Sequence, residues 1–141
     1  MDIEAAFKLE EKLHVFRVFV RITNPKNNIS LTKYCLFDTG YTGHFALDEK
    51  TIQLLRLKQL AFGKAKTITG IVQFETFQAI IELIDDKERV IYKFQNQDDL
   101  ENNPELVPIQ TFNINLIGMK AIKQRSWVIP KHQNMLVLLK D

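Results

Sequence analysis

The residues best suited to chemistry in this chain are three neighbours, Asp38, Thr39 and Gly40. They follow an apolar run, residues 35–37, and precede a second glycine, Gly43. An apolar run that enters a glycine-containing cluster is typical of a buried strand ending in a tight turn. Glycine permits positive φ and a close approach of another backbone. The pattern therefore predicts a turn that presents one carboxylate at the margin of apolar packing, where an unpaired charge is costly.

Asp-Thr-Gly alone is also an ordinary turn, but its context here favours a function. Residues 37–43, followed by residues 45–48 and a helix-like segment, resemble the active-site segment of retropepsin-like aspartic proteases of the small prokaryotic type. Residues 115–119 are similar to the family's segment of two hydrophobic residues and a glycine. Residues 67–72 resemble its flap hairpin. The matches occur in the family's order and together cover roughly residues 12–140.

The resemblance implies the fold. It predicts an all-β chain with one or two short helices, folded as the closed retropepsin-like β-barrel with one half-site per chain. Residues 1–141 would form a single domain of this kind. Residues 95–108 include a polar, acidic stretch that the family's core does not need, so they are predicted to be an exposed insertion loop.

The resemblance also assigns roles. Asp38 would be catalytic, and two sets of residues would support it. In the first set, Thr39 would bond across a two-fold axis and Gly40 would allow close approach. The second set would pack under the turn and permit a chain crossing, and it consists of Leu116, Ile117 and Gly118.

A flap over the substrate is the third part of the implied site. Its tip would comprise Thr69, Gly70 and Ile71, with Gly63 as a rival position. A flap would exclude water and give backbone hydrogen bonds to an extended peptide or protein substrate. The resemblance implies no metal and no organic cofactor.

A single Asp-Thr-Gly raises a question of stoichiometry. Aspartic proteolysis needs two carboxylates that share one proton, one acting as general base on water and the other donating a proton. No other Asp of the chain stands before Thr-Gly or Ser-Gly. We therefore expect a C2 homodimer in which Asp38 of each chain lies beside its counterpart.

Three residues after the motif depart from the family pattern. Tyr41 stands where better-studied members often have a small residue. Thr42 and Gly43 stand where viral retropepsins usually have acidic or small residues. These differences bear on substrate preference and working pH rather than on the Asp-Thr-Gly core.

Composition restricts the class of protein. With 141 residues, 45% of them hydrophobic, the chain can bury one respectable core. The net charge of +2 is scattered, with no basic block or basic–aromatic stripe, so no nucleic-acid partner is expected. No apolar run is long enough for a membrane span, and the acidic N-terminus is unlike a signal peptide. With Cys35 as the only cysteine, a reducing cytoplasm is the expected location.

Local patterns predict the elements that position the turn. Strands are expected at residues 14–22 and 30–37, and alternation places Phe16, Val18, Val20 and Ile22 on one face. Asp48 is a suitable N-cap for a helix over residues 49–57, with Ile52, Leu55 and Leu54 facing inward. Further elements are expected as a hairpin of residues 64–69 and 71–84, a strand at 109–117, a helical turn at 119–124, and closing strands at 127–129 and 135–139.

Other reactive side chains have simpler interpretations. His14, His44 and His132 lack metal-ligand spacing, so no zinc site is predicted, and His44 is interpreted as a surface-loop residue that could instead tune the site. Cys35 is interpreted as a buried strand residue. Trp127 is assigned to the core or a dimer interface, and the apolar strand at residues 135–139 could form an edge at that interface.

Two alternatives to a peptidase stay open. The chain could be a catalytically silent module that keeps the retropepsin-like fold for dimerisation or peptide binding. It could also be an unrelated β-barrel whose turn happens to read Asp-Thr-Gly.

Overall fold

The computed structural model describes residues 2–67 and 70–141. Within them the chain is mostly β-sheet with two short helices, which confirms the predicted all-β class. The strands are β1 (Ile3–Glu10), β2 (Val15–Asn24), β3 (Ile29–Phe37), β4 (Phe45–Asp48), β5 (Ala61–Thr67), β6 (Gly70–Ile84), β7 (Val90–Lys93), β8 (Val107–Phe112), β9 (Leu116–Ile117), β10 (Trp127–Val128) and β11 (Met135–Leu139). The helices are α1 (Glu49–Leu55) and α2 (Met119–Ile122). Neither helix is long and apolar enough to cross a bilayer.

The β2–β3 hairpin forms the centre of the fold. The two strands pair antiparallel, from Arg17 opposite Leu36 to Asn24 opposite Ile29. Val18, Val20 and Ile22 are fully buried, so the predicted alternation along β2 is confirmed for them. The hairpin thus delivers the end of β3, and the Asp38 turn after it, to a fixed place beside the core.

The strand order explains how that turn is supported. The sheet runs β10-β11-β1-β2-β3-β9-β4-β8-β6-β5, with β7 and β2 each pairing with β6 as well. β9 lies between β3 and β4, parallel to the first and antiparallel to the second. Because β3 and β4 are consecutive strands, the segment that joins them must pass over the end of β9. That segment contains the Asp-Thr-Gly motif.

Helix α1 begins where the sequence predicts. The Asp48 carboxylate accepts a hydrogen bond from the Thr51 N–H at 2.8 Å, which satisfies one of the unpaired donors of the first turn. Ile52 and Leu55 are buried, as expected. The inward placement of Leu54 is wrong, because this side chain is 51% exposed.

The β5–β6 hairpin confirms the predicted pairing. Its register runs from Ala61 opposite Thr76 to Thr67 opposite Gly70. Gly63 pairs with Phe74 within this ladder and is therefore not a hairpin tip. Gly70 opens β6 with a φ of 133°, a conformation that favours glycine.

The N-terminal strand β1 was not predicted. It pairs antiparallel with β11, which pairs on its other side with β10. The two closing strands are therefore confirmed, but β11 is not an edge strand, because both of its sides are occupied. Leu136, Val137 and Leu138 are buried rather than available to a partner.

The polar loop differs from the prediction at its end and in its packing. Val107 and Pro108 belong to β8, so the loop ends at Leu106. Asn96 is only 2% exposed, and its carboxamide oxygen accepts the Asp98 N–H. We call residues 95–106 the strap, since hydrogen bonds hold this segment against the body of the protein.

Candidate active site

Hydrogen bonds to the backbone and side chain of Asp38 help to fix its turn. The Asp38 N–H donates to the Ile117 carbonyl at 3.1 Å, and the Asp38 carbonyl accepts the Tyr41 N–H at 3.2 Å. The carboxylate Oδ1 accepts the Gly40 N–H at 2.9 Å. A half-buried carboxylate is thus held in one orientation by the backbone of its own turn, and within the described part of the chain its other oxygen accepts no hydrogen bond.

Strand β9 forms the floor beneath this turn. Leu116 and Ile117 pair with Leu36 and Phe37 on one side, and Ile117 pairs with Phe45 on the other. Ile117 is fully buried and Leu116 nearly so. The two apolar residues named from the sequence therefore lie directly against the strand that ends at the turn.

Gly118 stands where two segments of backbone cross. Its N–H donates to the His44 carbonyl at 2.8 Å, and the Met119 N–H donates to the Tyr41 carbonyl at 2.8 Å. A Cβ on Gly118 would collide with the Gly43 carbonyl oxygen and would lie 2.8 Å from the Tyr41 carbonyl oxygen. Only glycine fits this crossing without displacement of the backbone.

Tyr41, the departure from the family pattern, is folded under the turn. Its hydroxyl donates to Gln110 Oε1 at 2.7 Å and lies 3.2 Å from the Phe45 carbonyl oxygen. Its ring occupies the space in front of Gly43, where a Cβ would lie 2.6 Å from the Tyr41 Cζ. Burial raises the pKa of Tyr41, so the hydroxyl stays protonated and can donate. The side chain links the turn to β8.

His44 is buried, so its interpretation as a surface-loop residue is wrong. It is 2% exposed, and its Nε2 accepts the Gln97 N–H at 2.9 Å. Burial lowers the pKa of His44 to about 4, with Asp98 raising it and Lys120 lowering it to smaller extents. His44 is therefore neutral at pH 7 and connects the segment after the Asp38 turn to the strap.

Further contacts hold the strap against helix α2 and the residues that follow it. Lys120 Nζ lies 2.6 Å from Asp98 Oδ1. The Gln124 carboxamide accepts the Gln95 N–H at 2.9 Å and donates to the Gln95 carbonyl at 2.8 Å. Helix α2 also donates to the turn segment, through the Lys120 N–H to the Gly43 carbonyl at 3.1 Å. Strap, helix and turn thus form one connected unit.

The structure brings together most of the residues named from the sequence. Asp38, Thr39 and Gly40 lie at the end of β3, above β9 and Gly118, and both Thr39 and Gly40 are exposed. For the predicted flap, Gly70 and Ile71 open β6 and Ile71 is 70% exposed. Thr69 lies outside the described residues.

The site offers one oriented carboxylate. Among the residues described, no group of three or more His, Cys, Asp and Glu side chains could hold a metal ion. Cys35 is fully buried, and burial raises its pKa to about 12, so it is not a nucleophile. A half-buried carboxylate with one oxygen available can act as a general base toward a water.

Sequence reasoning missed two features of the site. The His44–Gln97 hydrogen bond uses a backbone donor, which leaves no mark on the sequence. The Tyr41–Gln110 bond joins distant residues with no local pattern. The chain matches no protein-family model and no curated protein. Function is therefore inferred from the geometry of the Asp38 turn.

Proposed function

We propose that this protein is an aspartic endopeptidase of the retropepsin-like type, active as a homodimer in which each chain supplies Asp38. The observation that carries the proposal is the Asp38 carboxylate, oriented by the Gly40 N–H and supported from below by β9. An oriented carboxylate beside exposed Thr39 and Gly40 suits a centre completed by a second copy of the same turn.

Strand pairing supports the fold part of the proposal. Successive pairings lead from β2 through β3, β9, β4 and β8 to β6, and β6 also pairs with β2. Six strands thus form a ring of pairings, as a closed barrel requires. The crossing of the turn segment over β9, with Gly118 at the contact, agrees with the chain crossing that the sequence resemblance implies.

The proposed chemistry uses the two Asp38 carboxylates as one titrating pair. Two carboxylates in close contact cannot both ionise readily, so they hold one proton between them. The ionised member removes a proton from water, which attacks the peptide carbonyl, while the protonated member donates to the carbonyl oxygen. Thr39 would hydrogen-bond across the axis, and Gly40 would allow the two turns to meet.

The proposed substrate is an extended peptide or protein segment. The β5–β6 hairpin would cover it, with Thr69, Gly70 and Ile71 at the tip, and would add backbone hydrogen bonds. Neither metal nor organic cofactor, nucleic acid nor membrane enters this mechanism. A cytoplasmic location fits a chain whose single cysteine is buried and unpaired.

Peptide cleavage tests the proposal directly. The protein should cleave members of a peptide library between acidic and neutral pH, and a statine-type transition-state mimic should inhibit it. Asp38→Asn should abolish cleavage, while Asp2→Asn, which also removes one exposed carboxylate, should not. A stable dimer without cleavage would instead support the catalytically silent peptide-binding or dimerisation module.

Subunit mixing tests the stoichiometry. If both carboxylates are required, a mixed dimer of one wild-type and one Asp38→Asn chain is inactive. After exchange with excess Asp38→Asn protein, activity should fall as the square of the wild-type fraction. A linear fall would show that each chain works alone and would contradict the shared centre, as would a strictly monomeric active protein in sedimentation.

A further inference from the structure

A groove lies away from the Asp38 turn. It has a volume of about 630 Å³ and is bounded by residues 4–8 of β1, by the outward side chains of β2 and β3, and by the turn between β6 and β7. This volume is within the usual range for a ligand site. None of the residues lining it belongs to the Asp38 turn.

One wall of the groove is an open strand edge. Five consecutive residues of β1 line it, although successive side chains of a strand point to opposite faces. A groove that touches all five must meet backbone as well as side-chain atoms, as a groove along the edge of the strand does. The other edge of β1 pairs with β11, and within the described residues β1 pairs with β2 only at Leu9 and Glu10. The backbone groups of residues 4–8 on the groove side therefore resemble a template for another strand.

The floor of the groove is aromatic. Phe19 and Tyr34 are opposite each other on β2 and β3, and their rings stack with centroids 4.5 Å apart. Tyr34 is 60% exposed. Ala6, the middle residue of the strand wall, has a small side chain. A large apolar or aromatic side chain from a ligand would therefore find both room and a ring to cover.

The two ends of the groove differ in charge. β1 runs antiparallel to β2, so Lys8 lies toward Arg17 and Glu4 lies toward Arg21. Arg21 donates to the Glu88 carbonyl, which places the turn containing Asp85 and Asp86 at the Glu4 end. Several of the charged side chains that line the groove are already paired: Arg17 with Glu10 at 3.2 Å, Glu4 with Arg125 at 3.4 Å, and Asp85 with Arg89 at 2.8 Å. Neither Lys8 nor Asp86 has an ion pair among the described residues, so these two are the charges available to a ligand.

We propose that this groove binds an extended segment of another protein, added antiparallel to β1. The segment has an acidic residue facing Lys8, a large apolar or aromatic residue two positions later opposite Ala6, and a basic residue two positions further on, opposite Glu4, that faces Asp86. We choose antiparallel addition because antiparallel strand pairs are the more common kind. The three ligand residues are two positions apart because alternate side chains of a strand share one face. Main-chain pairing provides affinity and the charges set direction.

A second copy of this chain is a poorer occupant. An antiparallel β1 would place Glu4 of one copy against Lys8 of the other, so the charges would match. However, Ala6 would stand at the middle position and would leave the Phe19–Tyr34 floor uncovered. The floor therefore favours a partner with a larger side chain at that position.

Binding of synthetic peptides tests the proposal. The probe is a fluorescein-labelled nonapeptide with the core Glu-Thr-Tyr-Thr-Lys, measured by fluorescence anisotropy on Asp38→Asn protein so that cleavage cannot interfere. The matched control peptide has Lys and Glu exchanged, and a second control carries N-methyl groups on alternate core amides to remove strand pairing. The probe should bind, with an affinity that falls as salt increases, and both controls should bind at least several-fold more weakly.

Exposed residues of the groove give protein variants that can be expected to fold. Tyr34→Ala should weaken binding about fivefold to tenfold by removal of the aromatic floor. Lys8→Glu should weaken binding of the probe and strengthen binding of the charge-exchanged control peptide. No binding at millimolar peptide, or binding unchanged by both variants, would overturn the proposal. A change in oligomeric state on Lys8→Glu without peptide binding would assign the groove to a second copy and would also overturn it.

Discussion

His44 Nε2 accepts the backbone N–H of Gln97, and this hydrogen bond joins the segment after the candidate catalytic turn to the strap. The acceptor exists only in the neutral imidazole, since protonation places a hydrogen on each ring nitrogen. One attachment of the strap is therefore tied to the ionisation of a buried side chain, beside those made by Lys120 and Gln124.

Stability should decrease with acid through His44. In the unfolded chain its pKa is about 6.5, and in the folded protein burial lowers the pKa to about 4. Between these values the unfolded chain binds a proton that the native protein does not, so the free energy of unfolding is highest above pH 6.5 and falls toward pH 4. At about 1.4 kcal/mol per pKa unit, the loss is on the order of 3 kcal/mol at most.

Urea unfolding at several pH values measures this effect. His44→Gln can keep an acceptor for Gln97 but cannot titrate, so its stability should vary less between pH 6.5 and 4 than that of the wild type. His132→Gln, a change at an exposed histidine, is the matched control for the substitution itself. Parallel curves for His44→Gln and the wild type would contradict the assignment.

The two glycines of the site should respond differently to alanine. Gly118→Ala places a Cβ against the Gly43 and Tyr41 carbonyl oxygens, so we expect a loss of at least about 2 kcal/mol in the free energy of unfolding. A Cβ on Gly40 would lie 3.2 Å from Asp38 Oδ1 and meet nothing else nearby. Gly40→Ala should therefore reduce peptide cleavage with a smaller loss of stability. Equal stability losses in chemical denaturation would argue against the chain crossing at Gly118.

Tyr41 should stabilise the turn through both its ring and its hydroxyl. Tyr41→Phe leaves Gln110 Oε1 without its donor and should cost about 1 kcal/mol. Tyr41→Ala also empties the space in front of Gly43 and should cost about 3 kcal/mol. Thermal and urea unfolding measure both, with Tyr34→Phe at an exposed tyrosine as the control. If Tyr41→Phe is as stable as the wild type, the bond to Gln110 does not hold the turn.

The cap of helix α1 offers a local test of the fold. Asp48→Ala removes the acceptor of the Thr51 N–H and should reduce the free energy of unfolding by about 1 kcal/mol. The Asp48 N–H would keep its bond to Asn115 Oδ1, so the contact between helix start and β9 segment is preserved. Asp86→Ala, at an exposed aspartate, should change stability little. If Asp48→Ala leaves the free energy of unfolding unchanged, the cap does not contribute to stability.

Local patterns predicted the elements around the turn. The alternation in β2, the N-cap at Asp48 and the apolar run before Asp38 each depend on residues close in sequence, and each is confirmed. β1 carried a similar signal, with Ile3, Ala5, Phe7 and Leu9 at alternate positions. The charged residues between them obscured it, because they suit an exposed tail as well as the solvent face of a strand.

Long-range contacts were beyond sequence reasoning. The polar composition of the strap predicts an exposed loop, and most of its residues are exposed. Asn96 is nevertheless buried, and its carboxamide oxygen accepts the Asp98 N–H of its own turn. Polar composition reports the mean character of a segment and cannot identify the one side chain that turns inward. The burial of His44 also leaves no signal in the sequence. Its partner is the backbone N–H at position 97, which almost any residue there would supply.

The candidate site can form only after the two-residue strand β9 has been synthesised. Asp38 emerges early during synthesis on the ribosome, but the carbonyl that holds its turn belongs to Ile117, near the other end of the chain. Until that late segment has left the exit tunnel, the motif is an unsupported loop. A nascent or C-terminally truncated chain would therefore carry the Asp-Thr-Gly residues without the arrangement that the proposed cleavage requires.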